Sequence, residues 1–334
     1  MKAIVLERYG GPEALQLKTL DKPVPGDNEV LIRICAALAT PSDVAFRSGK
    51  PFIVRLFTGL SRPKFPVLGD SLAGEIEAVG KNVTRFKVGD RVFGSADTDF
   101  GAYAEYKCLP EDGSIAVMPA GLGCDEAAAI SEGFLTAMPF LRDEAKVLPG
   151  QKVLINGASG SVGQMAVQLA KYFGAEVTGV CSTTNLKLVR SLAADAVIDY
   201  TRDDFTSRTG AWDVIFDAVG KSSFARCREA LTPRGVYMTT VPSFAILPQM
   251  AWTKIFSGGK RALLATTGLR SSSAKARDLV LLSELVDAGK LRVVIDRRYP
   301  MEQIADAHAY VETGRKKGSV VVVIAEEGAK LLAA

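Results

Sequence analysis

Residues 153–163 read Val153-Leu154-Ile155-Asn156-Gly157-Ala158-Ser159-Gly160-Ser161-Val162-Gly163, and the architecture follows from them. A short apolar run suited to a buried strand enters a turn spaced by glycines, and Gln164 to Phe173 continues as an amphipathic helix. Gly157, Gly160 and Gly163 carry no Cβ, so the backbone can bend sharply and come close to a bulky anion. A helix starting there directs unpaired N–H groups and the positive end of its dipole at that anion, the dipole alone being worth roughly 0.3–1 kcal/mol. Gly157, Ala158, Ser159, Gly160, Ser161, Val162 and Gly163 are therefore expected to cradle the diphosphate of a dinucleotide. Glycine also serves strand-to-helix turns for steric reasons alone, so the surrounding pattern has to decide.

That pattern continues. A second strand, Glu176 to Cys181, closes at Ser182-Thr183-Thr184-Asn185. In dinucleotide folds an acidic residue at this strand end grips the 2′-OH of NAD. Ser182 stands there instead, and a hydroxyl with neighbouring amides donates to a 2′-phosphate that a carboxylate would repel. NADPH is the expected cofactor. Further strands are expected at Ala196–Asp199, Val214–Asp217 and Val236–Met238, with Ala218-Val219 at a strand end facing the cofactor. Strands alternating with helices argue for a doubly wound parallel sheet with its ligand at the carboxyl ends.

The flanking sequence has another character. Val30–Ile34, Gly74–Val79, Asp90–Phe93 and Gly101–Tyr106 are short alternating runs between Gly and Pro, the pattern of a mainly β, barrel-like module. After Leu269, helices are expected over Ala274–Ala288 and Met301–Thr313, with strands at Val293–Ile295 and Val320–Ile324. This last part is expected to pack back on the first. The domains expected are 1–124 with 269–334, and 125–268 inserted between them, with the active site in the cleft and residues 326–334 as an exposed tail.

Composition excludes several classes. Of 334 residues, 48% are hydrophobic and 23% charged, enough for two cores. The 41 basic and 37 acidic residues leave a net charge of +4, too small to indicate a nucleic-acid binder. Met1–Leu6 turns polar at Glu7-Arg8, unlike a signal peptide, and no run approaches the ~20 apolar residues of a membrane span, so a cytoplasmic location is expected. Cys35, Cys108, Cys124, Cys181 and Cys227 are scattered without a CxxC pair, and His308 is the single histidine, read as a packing or capping residue. No metal site is expected.

These segments, together with Pro41-Ser42-Asp43, Phe65-Pro66-Val67-Leu68-Gly69, Ala73-Gly74, Val88–Val92 and Asp217-Ala218-Val219-Gly220, resemble the medium-chain dehydrogenase/reductase superfamily in its zinc-independent quinone oxidoreductase branch. The resemblance implies an α/β protein with a GroES-like β-barrel domain and a doubly wound Rossmann domain, and a homodimer formed through the Rossmann sheets. The zinc enzymes of that superfamily carry a cysteine and a His-Glu pair where this chain reads Ala39-Thr40-Pro41-Ser42-Asp43 and Gly69-Asp70-Ser71. Without those ligands, oxidation of simple alcohols loses its Lewis acid. A small hydrophobic quinone or an α,β-unsaturated carbonyl is the expected substrate, because conjugation delocalises the charge that arrives with a hydride.

By the same resemblance Thr40 and Asp43 are the catalytic candidates. Thr40 replaces the family's Asn and is either a donor to the substrate oxygen or a turn residue; Asp43 is expected to orient other groups, and Arg47 either polarises a carbonyl or pairs with Asp43, the pair being the expectation. Thr136 matches a position that touches the nicotinamide, the alternative being a hydroxyl bonded to its own helical turn. Tyr200, Ser182, Asn185 and Lys187 are expected around the 2′-phosphate. The apolar insertion Phe52–Leu60, ahead of Arg62-Pro63-Lys64, either lines an entrance for an extended substrate or covers the barrel. Two rival functions stand beside the quinone and enone reductase: an enoyl-thioester reductase, and a low-turnover NADPH-binding structural or regulatory protein.

Overall fold

The computed structural model describes residues 1–241, 246–256, 259–265 and 267–325. The expected exposed tail, residues 326–334, lies outside them. Two compact units emerge, Met1–Glu132 with Arg270–Ala334 and Gly133–Leu269.

The first unit opens with β1 (Lys2–Leu6) and β2 (Leu15–Thr19), an antiparallel pair. Next come β3 (Glu29–Ala39), α1 (Pro41–Ser48), a short α2 (Arg55–Thr58), β4 (Ser71–Val79), β5 (Arg91–Ser95), β6 (Tyr106–Pro110) and β7 (Ile115–Val117). Strand β3 organises the unit. It pairs with β4 along most of its length, while Glu29–Arg33 also pair with β6, and register shifts after Leu31 and Ile34 let it bend between partners. Ile32, Ile34, Leu72, Ile76 and Val92 fill the core with almost no exposure.

Helix α3 (Cys124–Met138) crosses the boundary between the units and passes into a wider π-type turn at Pro139–Glu144. The second unit contains β8 (Lys152–Asn156), α4 (Ser161–Tyr172), β9 (Glu176–Cys181), α5 (Leu186–Ser191), β10 (Ala196–Asp199), β11 (Trp212–Asp217), α6 (Phe224–Cys227), β12 (Leu231–Thr239), α7 (Ile246–Phe256) and β13 (Arg261–Leu263). All pairings in this sheet are parallel, in the order β10-β9-β8-β11-β12-β13. Val153, Leu154 and Ile155 are fully buried, which is why β8 reads as a continuous apolar run.

The chain then returns to the first unit with α8 (Ser272–Asp287), β14 (Ile295–Pro300), α9 (Ile304–Glu312) and β15 (Ser319–Val323). Strand β15 pairs with β3, Val320 opposite Ala39, and extends the seven-stranded sheet.

Two expected strands are displaced. Gly101–Glu105 does not form a ladder: positive φ at Phe100 (50°) and Gly101 (101°) turns the chain, and strand pairing with β3 starts only at Tyr106. The apolar Val293-Val294 precedes β14 instead of forming it. As an edge strand paired only with β15, β14 is built from exposed or half-buried residues, including Arg297 and Arg298, so apolarity points to the wrong stretch.

Candidate functional site

The residues singled out from the sequence fall into two groups, one in each unit. In the second unit β8 is followed by β9 and β10 on one side, while β11, β12 and β13 lie on the other. The order therefore reverses between β8 and β11, the place where open parallel sheets bind ligands beyond their carboxyl ends.

The glycine turn leaves β8 at that point. Gly157 has φ +82°, and a Cβ there would lie 2.4 Å from Val219 Cγ1. At Gly163 a Cβ would lie 2.1 Å from the Gly157 carbonyl oxygen, so the first turn of α4 packs directly on the loop. Gly160 differs. A Cβ there would meet only the Gly157 oxygen at 3.6 Å, so this residue borders open space. Gly160 caps α4 without a side-chain hydrogen bond, and the Val162 and Gly163 N–H groups in the first turn lie beyond the reach of the intrahelical ladder. Open space, a missing Cβ and free donors fit a diphosphate.

Around the turn, register brings the other expected residues together. Asp199 is opposite Cys181, and Tyr200 N–H donates to the Cys181 carbonyl at 3.1 Å, so Ser182 and Tyr200 leave neighbouring strands side by side. Tyr200 is 62% exposed. Asn185 donates from Nδ2 to Ser159 Oγ (3.0 Å) and Ser182 Oγ (3.3 Å), tying the glycine turn to the end of β9. Lys187 is exposed at the start of α5. Thr136 is half-buried on α3. It lies three residues beyond Gly133, where a Cβ would come within 2.8 Å of the Ser161 carbonyl oxygen, and so shares the helix face turned toward the cradle.

Ala218 N–H donates to the Asn156 carbonyl at 3.0 Å, and Val219 is held by a carboxylate outside the residues expected from the sequence. Asp217 is completely buried and accepts from Asn156 Nδ2 (3.0 Å), Tyr237 O–H (3.2 Å) and the N–H groups of Val219 (3.2 Å), Gly220 (3.0 Å) and Ser222 (2.8 Å). Asp199 was also missed. Its carboxylate accepts from Thr183 and Thr201, and the Thr183 hydrogen bond holds it below the usual carboxylate range. The Asp217-Ala218-Val219-Gly220 motif could have signalled the first; only strand register reveals the second.

In the first unit, Thr40 and Asp43 form a reciprocal cap at the start of α1. The Thr40 hydroxyl donates to Asp43 Oδ2 at 2.7 Å, its N–H donates to the same oxygen at 3.0 Å, and the Asp43 N–H donates back to Thr40 Oγ1 at 3.2 Å. Burial pushes the Asp43 carboxyl up to about 7; the Thr40 hydrogen bond opposes this and negative Asp70 reinforces it. Burial also raises Asp70 to about 6, against the pull of Ser95 Oγ, which donates to it at 2.5 Å, and of Lys275.

Arg47 does not pair with Asp43 as expected. Its side chain is completely buried, and Nη2 meets Glu312 Oε1 on α9 at 2.5 Å. Helices α1 and α9 pack on each other, which sets this partner 265 residues along the chain. His308 is a packing residue: it is fully buried, its Nε2 lies 3.1 Å from the Tyr103 hydroxyl, and burial, with Arg47 adding, lowers it to about 3. Tyr103 in turn donates to the Leu38 carbonyl at 2.9 Å.

Comparison with known proteins agrees with both units. Residues 26–120 match the alcohol dehydrogenase GroES-like domain and residues 192–322 the zinc-binding dehydrogenase family. The donor set does not fit the metal in the second description, since among the described residues no three His, Cys, Asp or Glu side chains gather as ligands. A quinone oxidoreductase from Pseudomonas aeruginosa is 31% identical over 96% of this chain and 99% of its own. The NADPH-dependent alkenal/one oxidoreductase of Arabidopsis thaliana is 32% identical over 96% of this chain and 79% of its own. The structure of the quinone oxidoreductase from Coxiella burnetii superposes with a TM-score of 0.86 at 29% identity, covering 97% of this chain and 99% of that one. The chain belongs to the medium-chain dehydrogenase/reductase superfamily, in its quinone oxidoreductase branch.

Proposed function

We propose that the protein binds NADPH along the carboxyl edge of the β8–β13 sheet and reduces a quinone, or the C=C bond of an α,β-unsaturated carbonyl. The open space at Gly160, beside the first-turn N–H groups of Val162 and Gly163, is the observation that carries this reading. Bound NADPH supplies a hydride; a proton completes the product as a hydroquinone or a saturated carbonyl. Ser182, Asn185, Lys187 and Tyr200 surround the 2′-phosphate, and Thr136, Ala218 and Val219 flank the nicotinamide half. One feature favours the phosphorylated cofactor: Ser182, at the end of β9, brings no charge where a carboxylate would repel a 2′-phosphate.

Thr40 and Asp43 are the catalytic pair in this proposal. The Thr40 hydroxyl exchanges its bond to Asp43 for one to the substrate oxygen, and Asp43, able to hold a proton near neutral pH, restores the threonine proton. A cytoplasmic homodimer belongs to the same reading. Strand β13 is the outer edge of its sheet among the described residues, an edge that a second copy can extend, and five cysteines outside any disulfide suit a reducing compartment.

The test is a fluorescence titration with NADPH and NADH, followed by turnover with 9,10-phenanthrenequinone, a 2-alkenal and an enoyl thioester. Tighter binding of NADPH, by about tenfold or more, with turnover of quinone or alkenal, is expected. Equal affinity for NADH contradicts the cofactor assignment, and preference for the thioester moves the substrate to the enoyl-reductase class.

A further inference from the structure

Between Asp43 and Asp70 the first unit carries an apolar ridge that its own fold leaves uncovered. Phe52, Ile53, Leu56, Phe57 and Leu60 are 66, 44, 62, 73 and 61% exposed, the densest group of exposed large apolar side chains among the described residues. Large contiguous apolar patches are uncommon on soluble surfaces and mark contacts with other molecules.

The ridge is built on a closed frame. The Arg55 guanidinium lies over the Tyr9 ring at 4.6 Å, and its Nε–H donates to the Gly49 carbonyl at 3.2 Å. The Tyr9 hydroxyl donates to the Gly59 carbonyl at 2.5 Å, while Lys64 N–H donates to the Thr58 carbonyl at 2.6 Å. Buried Thr58 donates its hydroxyl to the Val54 carbonyl at 3.1 Å. Polar groups are thus satisfied beneath, and apolar side chains are presented outward in a fixed arrangement, so little ordering is required on contact.

Charge identifies the occupant. Residues 44–69 contain no Asp or Glu, where the chain's average of 37 in 334 would place about three. They carry Lys50, Arg55, Arg62 and Lys64 around the ridge, with Lys50, Arg62 and Lys64 exposed; the fifth cation, Arg47, is buried against Glu312. An apolar ridge rimmed by one sign of charge complements an anionic bilayer. The aromatic and aliphatic side chains enter the acyl boundary, while the Lys and Arg heads reach lipid phosphates. We propose that the Phe52–Leu60 ridge docks the protein on an anionic lipid surface. The inference is independent of the cofactor and of the reductase reading.

The experiment is co-sedimentation of the full chain with vesicles of phosphatidylcholine containing about one quarter phosphatidylglycerol, compared with phosphatidylcholine alone. Pelleting with the anionic vesicles is expected, weakened by raising salt from ~0.1 to ~0.5 M as screening shortens the reach of the charges. Phe52→Ser with Phe57→Ser is expected to reduce the bound fraction by about tenfold or more at an unchanged thermal midpoint, since both side chains are exposed. Lys50→Glu with Arg62→Glu, which leaves the apolar ridge in place, is expected to abolish the preference for phosphatidylglycerol. Absence of pelleting overturns the proposal, as does pelleting that the Phe52/Phe57 variant retains. So does gel filtration in which the wild type is a dimer, the variant is a monomer and neither binds vesicles, because a second copy then covers the ridge.

Discussion

Gly160 and Gly163 occupy one turn, but their replacement by alanine should act through different quantities. At Gly163 the added Cβ lies 2.1 Å from the Gly157 oxygen, against ~3.4 Å for an ordinary contact, so helix and loop must separate by more than about 1 Å. Gly163→Ala should therefore lose about 1–3 kcal/mol of stability as well as cofactor binding. At Gly160 the same methyl meets nothing closer than 3.6 Å, and φ −81°, ψ 168° is open to alanine. The cost to the unliganded protein is only about 0.5 kcal/mol, for a poorer N-cap. The methyl does, however, fill the space a diphosphate needs. Displacing one charge-assisted N–H bond to phosphate costs about 1.5–3 kcal/mol, a rise of about 10- to 150-fold in the dissociation constant. Calorimetric titration with NADPH, paired with thermal unfolding of the unliganded proteins, separates the two variants. A Gly160→Ala protein that binds NADPH like the wild type would refute the cradle.

Ser182→Asp places a carboxylate beside the proposed 2′-phosphate and should shift the NADPH/NADH preference toward NADH by about tenfold or more, read from the two titrations. Asp43, with its carboxyl raised to about 7 in the fold against an ordinary 3.8, binds its proton more tightly folded than unfolded. Its contribution is complete below the ordinary value and is lost as pH rises through about 7. Relative to Asp43→Asn, the wild type should lose stability of order 2 kcal/mol between pH 5 and pH 8 in urea unfolding, and a constant difference would contradict the assignment. Glu312→Ala strands the buried Arg47 cation and should cost about 1–3 kcal/mol, moderated by the half-exposed position of Glu312, whereas Arg47→Met should restore part of that loss in the Glu312→Ala background.

The nucleotide unit was legible because its signals are local. Strands β9 and β10 have the bounds expected from sequence, the buried apolar run of β8 stands out, and the glycine spacing marks the turn between β8 and α4. The helix at Ser161 begins three residues earlier than the amphipathic pattern indicates, because the glycine-rich first turn has no apolar period of its own. Long-range partners were less legible. Arg47 meets Glu312 because two helices at opposite ends of the chain pack together, and nothing near Asp43 announces that. Asp217 sits beside a recognisable motif, yet its grip on Val219, Gly220 and Ser222 depends on a carboxylate folding back over its own loop. Strand β14 escaped for the opposite reason: an edge strand with exposed arginines carries too little apolarity to stand out.

The proposed reductase activity is tested most directly by following the transferred hydrogen. The metal-chelated protein is incubated with NADPH deuterated on the transferring face of C4 and a medium-chain 2-alkenal, and the saturated product is analysed by mass spectrometry. The account predicts one deuterium per product molecule, at the β-carbon, with turnover unaffected by the chelator. Tight NADPH binding without deuterated product, or turnover that the chelator abolishes, would contradict it.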